Sequence, residues 1–136
     1  MSRDKLTITE DVDTGKFIKQ TRRNVEISQF LDELRANVRE GKGYVEISRH
    51  SYDYPVLCIS YKNALGVIQA FSNAETSLVL KGEDIFEPDK IIDLPAMGEL
   101  VPFTGDLIID TDTIMKVVEH FSENFDLDIL GEWYEL

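Results

Sequence analysis

Between Tyr44 and Leu80 the hydrophobic period is two, in short runs divided by short polar turns. Tyr44-Val-Glu-Ile-Ser48 alternates with Val45 and Ile47 inward, and Val56-Leu-Cys-Ile-Ser-Tyr61 is almost continuously apolar. Leu65–Phe71 and Ser77–Leu80 follow, joined through Lys62-Asn63 and Asn73-Ala-Glu75. Parallel neighbours need a crossover of about a dozen residues, far more than these turns provide. The stretch is therefore expected to be an antiparallel meander, with Val56–Tyr61 as its central strand. Arg49–Pro55 reads as a turn rich in polar and aromatic residues. Upstream, Leu6–Thr9 and Lys16–Gln20 read as a strand and its return, with Asp13-Thr-Gly15 as the turn.

Two helical stripes accompany the meander. Ile27, Phe30, Leu31, Leu34 and Val38 form one, with Ser28 or Asn24 as its cap and Gly41-Lys-Gly43 as its end. Ile114, Val117, Val118, Phe121 and Phe125 form the other, with Lys116, Glu119 and Glu123 on the opposite face. Asp110 suits the N-cap of this second helix, because its short carboxylate can accept from free first-turn amides, and Asp112 suits the positive end of the dipole. Between the meander and this helix, residues 82–105 are acidic, and Pro88, Pro95 and Pro102 predict irregular chain there. Phe86, Ile91, Ile92 and Leu94 would pin that loop to the body. The aromatic pair Trp133-Tyr134 implies a tail held by packing. The expected architecture is α+β, a mainly antiparallel sheet of about five or six strands against two amphipathic helices. With 136 residues, one domain spanning 1–136 is expected.

No apolar run approaches the roughly 20 residues that cross a bilayer. Met1-Ser-Arg-Asp-Lys5 leads into no apolar signal core, and Cys58 is the only cysteine, so a reducing, cytoplasmic setting is expected. The net charge of −12 is unevenly placed. Residues 1–50 hold ten Lys/Arg against nine Asp/Glu, whereas residues 51–136 hold four against seventeen. Such a half repels nucleic acid and anionic membranes and attracts basic surfaces, although solvation alone would also account for it.

Catalytic chemistry finds little footing. A nucleophile needs an activating base within reach, and the only histidines are His50, in a turn, and His120, on the polar side of the last helix. Cys58 lies in an apolar strand and reads as a small buried hydrophobe. Asp126-x-Asp128 with Gly131 imitates the start of a calcium loop, but Leu130 stands where a ligand is needed. No phosphate loop or zinc spacing occurs, so no enzyme, cofactor or metal is expected. Two stretches are candidates for contact with a protein partner. One is the turn with Tyr52, Asp53 and Tyr54, which suits either an interface or a cap on the end of the sheet. The other is the acidic segment with Glu83, Asp84, Glu87, Asp89 and Glu99.

The order of helix, meander, Lys81-Gly82, Gly98-Glu99, the helix Thr111–Glu123 and a closing Trp133-Tyr-Glu-Leu136 resembles the first numbered immunity-protein family of bacterial polymorphic-toxin systems. The resemblance covers residues 28–136 and leaves the first hairpin unmatched. It implies a dedicated inhibitor of a secreted toxin, often a cytidine-deaminase-like toxin that acts on nucleic acid. It carries over no catalytic residues and no contact positions. An acidic chain fits this expectation, since an enzyme working on nucleic acid needs a basic groove that a polyanion mimic can occupy. The alternative is an acidic adaptor for a basic partner that inhibits no toxin.

Overall fold

The structure is a computed structural model and describes residues 5–13, 17–96 and 99–136. In chain order come β1 (Lys5–Asp13), β2 (Phe17–Glu26), α1 (Ile27–Glu40), β3 (Lys42–Arg49), β4 (Val56–Lys62) and β5 (Leu65–Asn73). There follow β6 (Thr76–Leu80), β7 (Ile91–Ala96), β8 (Glu99–Thr104), β9 (Ile109–Asp110), α2 (Thr111–Asn124) and β10 (Trp133–Glu135). The main sheet runs β10-β6-β5-β4-β3-β1-β2, entirely antiparallel, with β9 pairing the start of β5. The expected α+β architecture is therefore present, but the main sheet has eight strands, and β7 and β8 form a separate two-stranded ribbon. The turn at Asp13-Thr-Gly15 lies largely outside the described residues, as does Lys16.

The apolar run in β4 has a direct explanation in this layering. Leu57, Ile59 and Tyr61 face the helices, together with Val45, Ile47, Ile68, Ala70 and the α2 stripe Ile114, Val117, Val118 and Phe121. Side chains of the other parity face the β7–β8 ribbon, where Val67, Val79, Leu94, Phe103 and Ile108 make a second core. Both faces of β4 are covered, so every residue from Leu57 to Tyr61 is buried. Adjacent residues serve the two cores where the chain returns to the sheet. Ile108 enters the ribbon-side core and Ile109 the helix-side core. Gly66 lets α2 approach, because a Cβ there would sit 2.7 Å from both Ile114 Cδ1 and the Ser60 carbonyl.

The helix ends differ. Asp110 caps α2 as expected, its carboxylate accepting from Thr113 N at 2.9 Å. The far end closes on Phe125 in the left-handed region, where its ring meets Phe121 edge-on at 5.4 Å. Neither Ser28 nor Asn24 caps α1. The N-cap is Glu26 with no side-chain bond, because β2 runs straight into the helix and leaves Ser28 inside the first turn. Gly41 ends α1, its N–H donating to the Asn37 carbonyl at 2.8 Å.

The expectation of irregular chain across residues 82–105 is corrected. Among the described residues only the part before Ile91 is irregular, and β7 and β8 pair from Ile91↔Thr104 to Ala96↔Glu99. Pro102 pairs Asp93 and Pro95 pairs Leu100, so both prolines fall in the same alternate set of cross-strand pairs. In a two-stranded ribbon that set can direct its N–H groups outward, where a missing donor costs no ladder bond. Trp133 is held as expected, half-buried against the core with its indole N–H donating to the Leu127 carbonyl at 2.8 Å.

Phe121 is fully buried. Phe121→Ala should lower stability by about 3–5 kcal/mol in urea unfolding, and a change below about 0.5 kcal/mol would show that the stripe does not hold the core. The β4–β5 turn gives a prediction of opposite sign. Lys62 pairs Leu65, and the two central residues, Asn63 and Ala64, have φ of 54° and 63°. Alanine is strained there and glycine is not, so Ala64→Gly should raise stability by about 0.5–1 kcal/mol. A loss of stability would show that the turn does not carry that strain.

Candidate functional site

The two candidate stretches lie at opposite ends of the sheet. Val56, which follows the Tyr52–Tyr54 turn, pairs with Phe71 near the end of β5, whereas Asp110, which touches the acidic segment, pairs with Leu65 at its start. At about 3.3 Å per residue, the length of β4 puts roughly 20 Å between those ends. The structure does not gather Tyr52, Asp53 and Tyr54 with Glu83, Asp84, Glu87 and Asp89 into one cluster.

In the aromatic turn, Asp53 is exposed, and the Tyr52 and Tyr54 side chains remain 52% and 41% exposed. Tyr52 also has a packing role. The Arg49 guanidinium lies 4.3 Å from its ring centre and 5.4 Å from that of Phe125. Arg49 thus ties the turn to the C-terminal end of α2, so the sheet-capping role and an accessible aromatic surface coexist in Tyr52.

The acidic segment is anchored at a few points and free between them. Gly82 donates to the Asp106 carbonyl at 2.8 Å, and a Cβ on Gly82 would come within 2.7 Å of Ile108 N and O. Lys81-Gly82 therefore has a packing reason that needs no ligand. Glu83 is partly structural, since its carboxylate accepts from Asp110 N at 3.0 Å. Asp84 is exposed with φ of 57°. Glu87-Pro-Asp-Lys90 is a turn closed by Lys90 N donating to the Glu87 carbonyl at 3.0 Å, with proline at its favoured second position. Phe86 and Ile92 pack against the ribbon-side core and Leu94 is buried, but Ile91 is 56% exposed and does not pin the segment. Glu99 is exposed at the start of β8; Gly98, its companion in the resemblance, lies outside the described residues.

Ion pairing explains how the charge imbalance reaches the surface. Arg22 donates to Glu33 Oε2 at 2.8 Å and Oε1 at 3.3 Å, and to Glu10 at 3.2 Å, joining β2 to α1 and β1. Arg35 bridges Asp32 at 3.2 Å and Glu119 at 3.1 Å, and Lys5 meets Glu26 at 3.2 Å. These cations of the balanced half are used within the fold. The ion pairs found among the described residues include none of Glu83, Asp84, Glu87, Asp89, Asp93 or Glu99. Lys90, the single cation of this segment, lies over the Phe86 ring at 4.5 Å.

The groups considered for catalysis have structural surroundings. Cys58 is buried on the ribbon side of β4, and desolvation pushes its thiol up to about 12, which leaves it protonated and a poor nucleophile near neutral pH. The nearby Tyr44 hydroxyl donates to Glu46 at 2.7 Å and is raised chiefly by burial. His50 Nδ1 lies 3.2 Å from Thr7 Oγ1, and His120 is exposed on α2. The Asp126 carboxylate accepts from Asp128 N at 3.0 Å and so caps a short 3-10 turn. Among the described residues no cluster of His, Cys, Asp and Glu has the arrangement of a metal site, and no helix is long and apolar enough to cross a membrane. A comparison with models of known protein families returns no match, and neither does a search of curated proteins.

The Arg22 hydrogen bonds hold Glu33 below the usual carboxylate range. A depressed folded pKa stabilises the protein above the unfolded value and is lost as pH falls through the folded value. Both side chains are about one-third exposed, so the pair should contribute only about 0.5–1 kcal/mol. Glu33→Gln should therefore destabilise at pH 7 and lose that difference from wild type below about pH 4. Equal destabilisation at pH 7 and pH 3 would assign the effect to packing.

Proposed function

We propose that this chain is a cytoplasmic immunity protein that binds a cognate secreted toxin and covers its active site with an acidic surface. The partner class follows from charge. A toxin that acts on nucleic acid, such as a cytidine-deaminase-like enzyme, presents a basic groove, and a rigid array of carboxylates can fill it in place of the phosphate backbone. The supporting observation is the segment around Glu87, Asp89 and Asp93, whose exposed carboxylates make no ion pair among the described residues. The resemblance carried by Lys81-Gly82, the α2 helix and Trp133-Tyr-Glu-Leu136 supports the same reading. Its action needs no catalysis, only occupancy.

Steered association between opposite fields proceeds at about 10⁸ M⁻¹s⁻¹ or faster at low salt, against about 10⁵–10⁶ for neutral partners. Screening beyond a Debye length of roughly 8–10 Å removes that advantage as salt rises. The test pairs two charge reversals of equal size. Glu87→Lys with Asp89→Lys changes the acidic turn, and Asp112→Lys with Glu123→Lys changes the exposed face of α2. Glu83 is left intact because it also bonds Asp110. Association with a purified toxin against which the chain protects is measured against ionic strength, alongside protection of a strain expressing that toxin. The turn variant should associate about tenfold more slowly at low salt and protect poorly, while the helix variant behaves as wild type. A loss confined to the helix variant moves the contact face to α2. Binding of a non-lethal basic partner without protection would make the chain an adaptor.

A further inference from the structure

The strand β10 closes the main sheet on one side, and its outer edge is open. Lys81 N donates to the Glu132 carbonyl at 2.9 Å, and Leu136 N to that of Ser77 at 2.9 Å. Tyr134 pairs with Val79 between them. In an antiparallel ladder such bonds alternate, so Glu132, Tyr134 and Leu136 direct their backbone groups to β6, while Trp133 and Glu135 direct theirs outward. Among the described residues no strand pairs with that outer edge. Natural edges are commonly blunted by lysine, proline or a covering segment. This one carries Glu132 and Glu135, both exposed, and no lysine or proline.

The surroundings have one chemistry. On the ribbon side of the sheet, Tyr134 and Phe71 leave aromatic surface 41% and 37% exposed. On the helix side a cleft of about 450 Å³ is lined by the apolar Pro55, Leu78, Phe125 and Leu127, by Ser72 and Thr76, and by Asp126 and Asp128. The cleft adjoins the edge, since Leu78 is the cross-strand partner of Glu135 and the Leu127 carbonyl holds the Trp133 indole. Apolar walls beside two carboxylates suit a lysine or arginine side chain, whose stem is apolar and whose head is cationic. Among the described residues the only ion pair along this edge is Lys81 with Glu132, at 3.5 Å and largely exposed.

We propose that the β10 edge receives an extended basic segment of the protein partner as an added strand, with a lysine or arginine side chain laid in the cleft beside Asp126 and Asp128. This deepens the reading of the chain as a binder of a basic protein. It also explains how two separated candidate stretches can serve one partner. The Glu132 end of β10 adjoins Lys81 and the root of the acidic segment. The other end adjoins Ser77, which pairs with Phe71, the neighbour of Val56 after the aromatic turn.

The test uses no toxin, so its outcome is independent of whether the partner is one. The probe is a capped nine-residue peptide alternating lysine with valine and threonine, titrated into the full chain and followed by NMR. The amides of Trp133 and Glu135 should shift and gain protection from hydrogen exchange. Glu135→Pro deletes an outward N–H and no bond to β6, and should weaken binding about tenfold, whereas Glu135→Gln keeps the N–H and should weaken it about threefold. A peptide with glutamine in place of lysine should bind at least about tenfold more weakly. The mapping on the unaltered chain decides the matter if Glu135→Pro fails to fold. Absence of protection at Trp133 and Glu135, or equal binding of the glutamine peptide, overturns the proposal. Concentration-dependent dimerisation abolished by Glu135→Pro overturns it as well, by assigning the edge to a second copy. If the peptide fails while the Glu87/Asp89 reversal still impairs toxin binding, the acidic segment remains the contact and only the edge is excluded.

Discussion

Burial of β4, and of β5 from Gly66 to Ile68, on both faces is the constraint from which the rest of the structure follows. A sheet wet on one side needs a single apolar stripe per strand, and the two helices would suffice to cover it. Here Val67, Val79 and the buried Cys58 and Ser60 need a second cover, and the β7–β8 ribbon supplies it through Leu94 and Phe103. That requirement fixes where the chain goes between residues 81 and 110. It must leave β6, cross the second face as a ribbon, and come back beside β5 in time to start α2. The paired burial of Ile108 and Ile109 marks this return, with one side chain committed to each core.

The path has an electrostatic result. The segment that crosses the second face is short of cations, and Phe86, Ile92, Leu94 and Phe103 are drawn inward while its carboxylates stay in water. Meanwhile Arg22 and Arg35 are engaged by acids that lie near them in the balanced half or on α2. The net charge of −12 is thus concentrated in unneutralised side chains away from the arginine network. They project from a segment held to the body of the protein at Gly82, Phe86 and Leu94.

Much of this was legible in the residues, and the failures have physical causes. The α2 stripe and its Asp110 cap were readable because the helical period and the capping chemistry act locally. The meander was readable because its turns are too short for any crossover. The ribbon was obscured by Pro95 and Pro102, which ordinarily argue against a ladder and are tolerated here only because a two-stranded ribbon has outward-facing positions. The missing cap of α1 arises where β2 passes into the helix without a break, a junction that local propensity does not encode. For the candidate site, the acidic side chains were identifiable from charge alone. Their separation from the aromatic turn depended on strand direction, and the open edge of β10 on which strand ends the sheet. Both are long-range properties that no local pattern carries.

The few anchors of the acidic segment have a consequence for change over time. Gly82 and Phe86 meet the body of the protein, whereas the carboxylates of Glu87, Asp89 and Asp93 project from it and make no ion pair among the described residues. Substitutions at the projecting positions touch neither core, so they can accumulate with little effect on whether the chain folds. Surface charge and fold stability are thereby carried by different residues within one short stretch. A lineage can alter the outer set freely, while Gly82 and the buried ribbon residues hold the platform unchanged.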